Sequence, residues 1–235
     1  MAVRTNSLGQ AIGFAVENWR APPPPSRSVT LEGRSCRLEP LDAERHARDL
    51  HEANSRDTAG RMWTYMGYGP FAALQAYTAW VKDAAAKPDP FFYAIIDKAS
   101  GKALGVASLL RIDPPNGVIE VGHIAYAPAL QKTVAATEAM YLMMKHVFDL
   151  GYRRYEWKCD FLNEPSRQAA ARLGFTYEGR FRQAVMYKGR NRDTDWFSII
   201  DKEWPTLRDG FEAWLAPSNF DAEGRQKKSL AVRRP

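Results

Sequence analysis

Cysteine is nearly absent from this chain: Cys36 and Cys159 are the only two in 235 residues. That excludes a disulfide framework, and their spacing fits neither a zinc nor a dithiol redox motif, so two reduced, buried thiols are expected. Histidine is sparse as well, with four residues, and His46 and His51 lie five apart on an expected helix, which does not set two ligands on one face. No metal site is expected. Long apolar runs are missing, and the first residues carry no hydrophobic signal region. The reading is a cytoplasmic protein without membrane contact. Carboxylates are missing from one stretch in particular. Residues 225–235 hold Arg225, Lys227, Lys228, Arg233 and Arg234 and no acid, so five of the six net positive charges belong to this segment. The rest of the chain is close to neutral. The basicity is therefore expected to lie in a disordered, solvated tail, and a nucleic-acid partner is not expected.

What is present is a 45% hydrophobic content in a chain long enough to bury one substantial core. Residues 1–27 read as an N-terminal arm ending in Pro22-Pro23-Pro24-Pro25, a stiff extended linker. Residues 28–215 read as the folded domain and 216–235 as the tail. Phe14, Val16 and Trp19 are expected to pack the arm onto the domain or onto a second copy, so a homodimer is one expectation. Strands are expected at 34–41, 91–96, 103–110, 119–126 and 155–162, with a hairpin of 179–187 and 194–201. Helices are expected at 42–54, 71–86 and 134–150. Trp204-Pro205 is read as the end of the packed region, followed at most by a short helical piece within 210–215.

The stretch 119–175 is the most informative. From Val134 to Leu150 the apolar residues Ala136, Met140, Met143, Val147 and Leu150 recur at steps of three and four, one face of an amphipathic helix stopped by Gly151. Just upstream, Gln131, Lys132 and Thr133 precede the small residues Ala135 and Ala136. A helix N-terminus so thinly covered exposes free amides and the positive end of the helix dipole, which favour an anion such as a pyrophosphate. Residues 155–162 then form a second strand, and Asn163-Glu164-Pro165-Ser166 opens another helix with proline in its first turn. Two strands that each feed a helix lie parallel, and a long ligand can pass between their C-terminal ends. Ser166 would then face its reactive end.

These residues resemble the GNAT acyltransferase superfamily, and within it the RimJ/RimL-type branch that acylates amines from acyl-coenzyme A. The family's pyrophosphate motif runs Gln or Arg, two residues, Gly, one residue, then Gly or Ala. Here it is Gln131, Lys132, Thr133, Val134, Ala135 and Ala136, with valine where glycine is usual. Asn163, Ser166, Leu173-Gly174-Phe175 and Glu178-Gly179 match the branch as well, and the resemblance covers roughly residues 28 to 205. It implies a mixed α/β fold whose sheet is mostly antiparallel, with a central splayed parallel strand pair and helices on both faces. It also implies acetyl-coenzyme A, or another acyl-coenzyme A, bound by Ile124, Ala125, Tyr126, Gln131, Lys132, Thr133, Val134, Ala135, Ala136, Thr137 and Asn163.

Aminolysis of a thioester needs a neutral amine, and deprotonating a lysine-like acceptor at pH 7 costs about 4.6 kcal/mol. Glu120 is the candidate base, since strict alternation sets it on one strand face with Gly122, Ile124 and Tyr126; a plain ion pair at that position is the alternative. Ser166 is the candidate acid for the departing thiolate, with helix capping as its alternative. His123 alternates onto the opposite strand face and reads as a packed or hydrogen-bonded core histidine; it and an ordered water are the other candidates for the base. Ribosomal-protein members of the branch carry a carboxylate shortly after the Glu-Gly pair, where this chain has Val185, so a ribosomal acceptor is not expected. The acceptor, a small-molecule or peptide amine, is assigned to the aromatic loop 62–71, with loop packing or a dimer contact as the equal alternative for that loop. Arg180, Arg182, Lys188, Arg190 and Arg192 form either a solvated face or a receiver for an acidic group. A catalytically silent acyl-coenzyme A sensor, or a protein that holds a macromolecule, is the competing function.

Overall fold

A computed structural model describes residues 4–232. On the N-terminal arm, β1 (Arg4–Thr5) and β2 (Ala11–Ile12) pair as a small hairpin. The main body begins with β3 (Leu31–Glu32), β4 (Cys36–Pro40), α1 (Ala43–Asn54) and α2 (Leu74–Ala86). It continues through β5 (Phe91–Asp97), β6 (Ala103–Asp113), β7 (Val118–Tyr126) and α3 (Val134–Asp149). Then come β8 (Arg154–Asp160), α4 (Glu164–Arg172), the hairpin of β9 (Thr176–Tyr187) and β10 (Arg190–Ile200), and α5 (Trp204–Leu215).

Eight strands form one sheet in the order β3-β4-β5-β6-β7-β8-β10-β9, antiparallel throughout except for β7 and β8. The parallel pairing runs only from Val118 opposite Arg154 to Val121 opposite Trp157. Beyond it β7 continues to Tyr126 and β8 to Asp160 without each other, so the sheet opens into a V at their C-terminal ends. Helices α1 and α2 bury Leu50, Tyr77 and Val81 against Phe92, Ala94 and Ile96 on one face. Helices α3, α4 and α5 cover the other face, where Tyr93, Ile95, Leu109 and Val121 pack with Met143, Ala170 and Phe211. This is the mixed architecture that the sequence leads one to expect, splay included.

Three expectations are corrected. Helix α3 is not merely amphipathic: eleven of its residues are buried, because it is enclosed by the sheet, by α5 and by the turn between β3 and β4. Its Glu138, only 4% exposed, accepts hydrogen bonds from the amides of Arg34, Ser35 and Cys36 at 2.7, 2.6 and 3.0 Å. A lone carboxylate is tolerated there because those three amides solvate it in place of water. Second, Trp204-Pro205 does not end the packed region but opens α5, with Pro205 in the first turn, where it costs no hydrogen bond. Trp204 stacks on Phe148 at 5.0 Å and Phe211 lies 5.6 Å from Tyr141, so α5 runs antiparallel to α3.

Third, residues 217–232 are an ordered segment rather than a disordered tail, although most of their side chains stay exposed; Arg233 and Arg234 of the expected tail lie outside the described residues. Asn219, 8% exposed, donates from its amide to the carbonyls of Trp214 and Lys228 and accepts from the Lys228 amide, and Leu230 and Val232 pack against the core. The apolar residues interleaved with the cations hold the segment down, which a count of charges does not reveal. The arm packs on the same chain: Trp19 donates to the Pro115 carbonyl and its ring lies against Gly117, while Phe14 sits beneath Lys202. Both cysteines are buried and free, and no helix among the described residues is long and apolar enough to cross a membrane.

Candidate active site

Below the V lies a cleft of about 1100 Å³, large enough for an extended ligand. One wall is the end of β7, Ile124 to Tyr126; the floor is the start of α3; the opposite wall is Trp157 of β8 with the first turns of α4. Gln131, Lys132, Thr133, Val134, Ala136, Thr137, Asn163 and Ser166 all line it. Ala135 is buried behind the others, and Glu120 is not part of the lining.

The α3 entrance is built by its cap. The Thr133 hydroxyl donates to the Leu130 carbonyl at 2.7 Å and accepts from the Ala136 amide at 3.1 Å. The amides of Val134 and Ala135 precede the first intrahelical donor, the Thr137 amide that bonds the Thr133 carbonyl, and are left for a ligand. The left-handed residue of this loop is Lys132, with φ of 61°, and Val134 is the first helical residue. Valine is therefore tolerated at a motif position usually held by glycine, because the turn takes its positive φ two residues earlier. Gln131 donates from its side-chain amide to the Tyr126 carbonyl at 2.8 Å, tying this loop to the strand end.

Ser166 stands in the third position of α4, and the helix cap is Asn163, whose side chain accepts from the Ser166 amide. The Ser166 oxygen accepts from the indole N–H of Trp157 at 3.0 Å. An indole can only donate, so the hydroxyl proton of Ser166 remains available as a donor. Cys159 lies within hydrogen-bonding reach of the same hydroxyl, and burial pushes its thiol up to about 11. It is held as a neutral thiol there.

The alternation expected along β7 fails at His123. That residue has φ of 49°, and the register with β6 slips between Val106 opposite Ala125 and Ser108 opposite Gly122. A bulge of one residue inverts every side chain beyond it. Glu120 and Gly122, which precede the bulge, alternate with the α3-side residues Ile119 and Val121 and so face the α1/α2 side, while beyond it Tyr126 turns toward α3 and donates from its hydroxyl to the Ala136 carbonyl. Glu120, 6% exposed, pairs with Lys158 at 2.8 Å and Arg111 at 3.4 Å, and Lys158 also pairs with Glu156. Burial raises the Glu120 carboxyl against the pull of Lys158 and Arg111. The geometry is that of an ion-paired strand residue.

His123 stacks on Tyr68, packs against Phe92 and has Nδ1 3.3 Å from the Tyr68 hydroxyl. Burial pushes its imidazole below the ordinary value of 6.5. The aromatic loop joins it: Trp63, Tyr68 and Phe71 pack with Trp80, while Met62, Tyr65 and Met66 line the cleft. Tyr65 donates to the Leu162 carbonyl and Lys188 to that of Trp63, so the loop spans the V from helix to hairpin. The five basic residues do not act as one patch. Arg180 pairs with Asp195 at 2.7 Å, and Arg192 lies over Tyr187.

Trp157, Arg172, Trp214 and the turn 224–226 also line the cleft. Period-two alternation along β8 points to Trp157, and Arg172 closes α4, the helix that carries Ser166; Trp214 and the turn carry no local signal, because they arrive from α5 and the tail.

A sequence model described as an acetyltransferase (GNAT) domain matches residues 36–176. Among solved structures, a GCN5-related N-acetyltransferase from Brucella melitensis is 51% identical, with 92% of this chain and 97% of that one covered and a TM-score of 0.89. A structure described as a probable acetyltransferase of the GNAT family, from Chromobacterium violaceum, is 38% identical, covering 83% of this chain and 98% of that one with a TM-score of 0.77. Among curated proteins, one named as a putative ribosomal N-acetyltransferase, YdaF of Bacillus subtilis, is 25% identical over 71% of this chain and 90% of its own length.

Proposed function

The chain belongs to the GNAT acetyltransferase family, with relatives consistent with the RimJ/RimL-type branch, and from that premise we propose that it acetylates a primary amine of a small molecule or peptide, taking the acyl group from acetyl-coenzyme A. The observation that carries this reading is the convergence, in one cleft, of the capped α3 entrance, the splayed end of β7 and the Ser166 hydroxyl. The residues fit such a donor. The free amides of Val134 and Ala135 with the Lys132 ammonium suit a pyrophosphate, and the slot between β7 and Trp157 suits a narrow, partly apolar arm. When bound, acetyl-coenzyme A supplies a thioester carbonyl open to attack by an amine.

The chain's own contributions are positional and electrostatic. Backbone amides along Ile124–Tyr126, having lost β8 as a partner, are donors for a carbonyl oxygen that gains charge. Ser166, its oxygen held by Trp157, donates its proton toward the leaving sulfur. His123 is kept neutral by burial; because its ring packs on Tyr68 and Phe92 outside the cleft lining, it is assigned as proton acceptor through a water rather than by direct contact. Glu120, tied to Lys158 and Arg111, is assigned to holding the sheet rather than to the base role. Neither cysteine belongs to the proposed machinery, so attack is direct, without an acyl-enzyme.

The test is titration calorimetry with acetyl-coenzyme A, followed by an amine and peptide screen in which Ser166→Ala and His123→Gln are compared with Glu120→Gln. The first two are expected to lose about 10²-fold in kcat with donor affinity kept, and the third to lose mainly stability. Donor binding with no turnover on any amine would favour the sensor reading.

A further inference from the structure

The family match ends at residue 176, yet the cleft has a wall contributed by residues far beyond it: Gly224, Arg225 and Gln226. Because α5 runs antiparallel to α3, its C-terminal Trp214 is carried to the α3 N-terminus, and the tail turn that follows stands at the anion end of the cleft. This turn is built, not draped. Phe220 pairs with Gln226, Asp221 accepts from the amides of Glu223 and Arg225, and the Gln226 side chain accepts from the Trp214 indole at 2.9 Å. The Arg225 guanidinium bonds Asp221 at 2.8 Å and Glu223 at 3.1 Å, with its side chain 75% exposed.

We propose that this C-terminal turn is a nucleotide-recognition element, in which Arg225 holds the phosphate on the ribose of the coenzyme A donor. The inference rests on the acyl-coenzyme A reading above and names a contact within it. The α3 amides and Lys132 serve one anionic group, the pyrophosphate, and the donor carries a second one further from its thioester. Arg225 is suited to it because a guanidinium offers five donors and its two carboxylate partners occupy only two of them. Asp221, backed by two backbone amides, orients the guanidinium; the exposed Glu223 bond is the one a phosphate replaces. An exposed ion pair of this kind is worth little, so exchanging it is cheap and removing Arg225 does not threaten the fold.

The experiment is calorimetric titration of the full-length protein and the variants Arg225→Gln, Glu223→Gln and Lys132→Ala with coenzyme A and with dephospho-coenzyme A, which lacks the ribose phosphate. The wild type is expected to prefer coenzyme A by roughly tenfold, the gain of one charge-assisted contact at a solvated site. Arg225→Gln should erase that preference while leaving dephospho-coenzyme A binding unchanged. Glu223→Gln should tighten coenzyme A roughly twofold by freeing the guanidinium, and Lys132→Ala should weaken both ligands alike. Equal weakening of both ligands by Arg225→Gln, unchanged binding, or tighter binding, the result expected if the Arg225 side chain instead obstructs the cleft, would each overturn the proposal while leaving the donor reading intact. Failure of the wild type to bind either ligand would overturn both.

Discussion

Single side chains decide the sharpest questions. Ser166 is placed by one neutral hydrogen bond from Trp157, so Trp157→Phe should keep the ring packing against Phe175 and lose the donor. The expected result is a fall in kcat of roughly fivefold, equivalent to about 1 kcal/mol, with unchanged near-UV circular dichroism and donor affinity. Glu138 poses the complementary case, a buried carboxylate with a wholly structural task. Glu138→Gln puts an NH₂ group against donating amides and is expected to destabilise by about 2–3 kcal/mol, read from the urea midpoint. Gly33 cannot take a side chain for the same reason, since a Cβ there would lie 2.6 Å from the Glu138 carboxyl carbon.

Elements set what those side chains face. The one-residue bulge at His123 turns Tyr126 toward α3 and leaves Glu120 on the other face, and period-two counting from the sequence cannot see it. At the α3 entrance the cap does the organising, so Thr133→Ala should cost about 1 kcal/mol of stability and weaken donor binding in parallel. Restoring the family's usual glycine with Val134→Gly is expected to lower stability by about 0.5 kcal/mol with no gain in affinity, because the position is helical and glycine loses more backbone entropy there. Unfolding curves and calorimetry on the pair check both statements. Most element positions were legible from periodicity, caps and turn residues, as for α3 between Thr133 and Gly151. Helix α5 was not, because Trp204-Pro205 reads equally well as an ending or as a first turn.

Across the whole molecule, burial gives three histidines a common effect. His46, His123 and His146 all have imidazoles pushed below 6.5, chiefly by desolvation. Each binds its proton more weakly in the folded than in the unfolded chain, so stability is fully present above about 6.5 and is lost as pH falls through the lower folded values. The urea midpoint should therefore drop between about pH 7.5 and about pH 5.5. His146→Gln should flatten part of that slope; an unchanged slope in this variant would remove His146 from the account.

The sequence by itself determined the family resemblance, the mixed sheet and the residues around the α3 entrance, because these depend on local spacing: a cap, a helical period, a strand followed by a helix start. Only the tertiary structure decided which of them meet. Burial beside Lys158 and Arg111 turned Glu120 into an ion-paired strand residue, a bulge reversed the face of Tyr126, and the antiparallel course of α5 brought a basic tail back to the cleft. Those outcomes depend on contacts between residues tens of positions apart, and local patterns of charge and hydrophobicity carry no record of them.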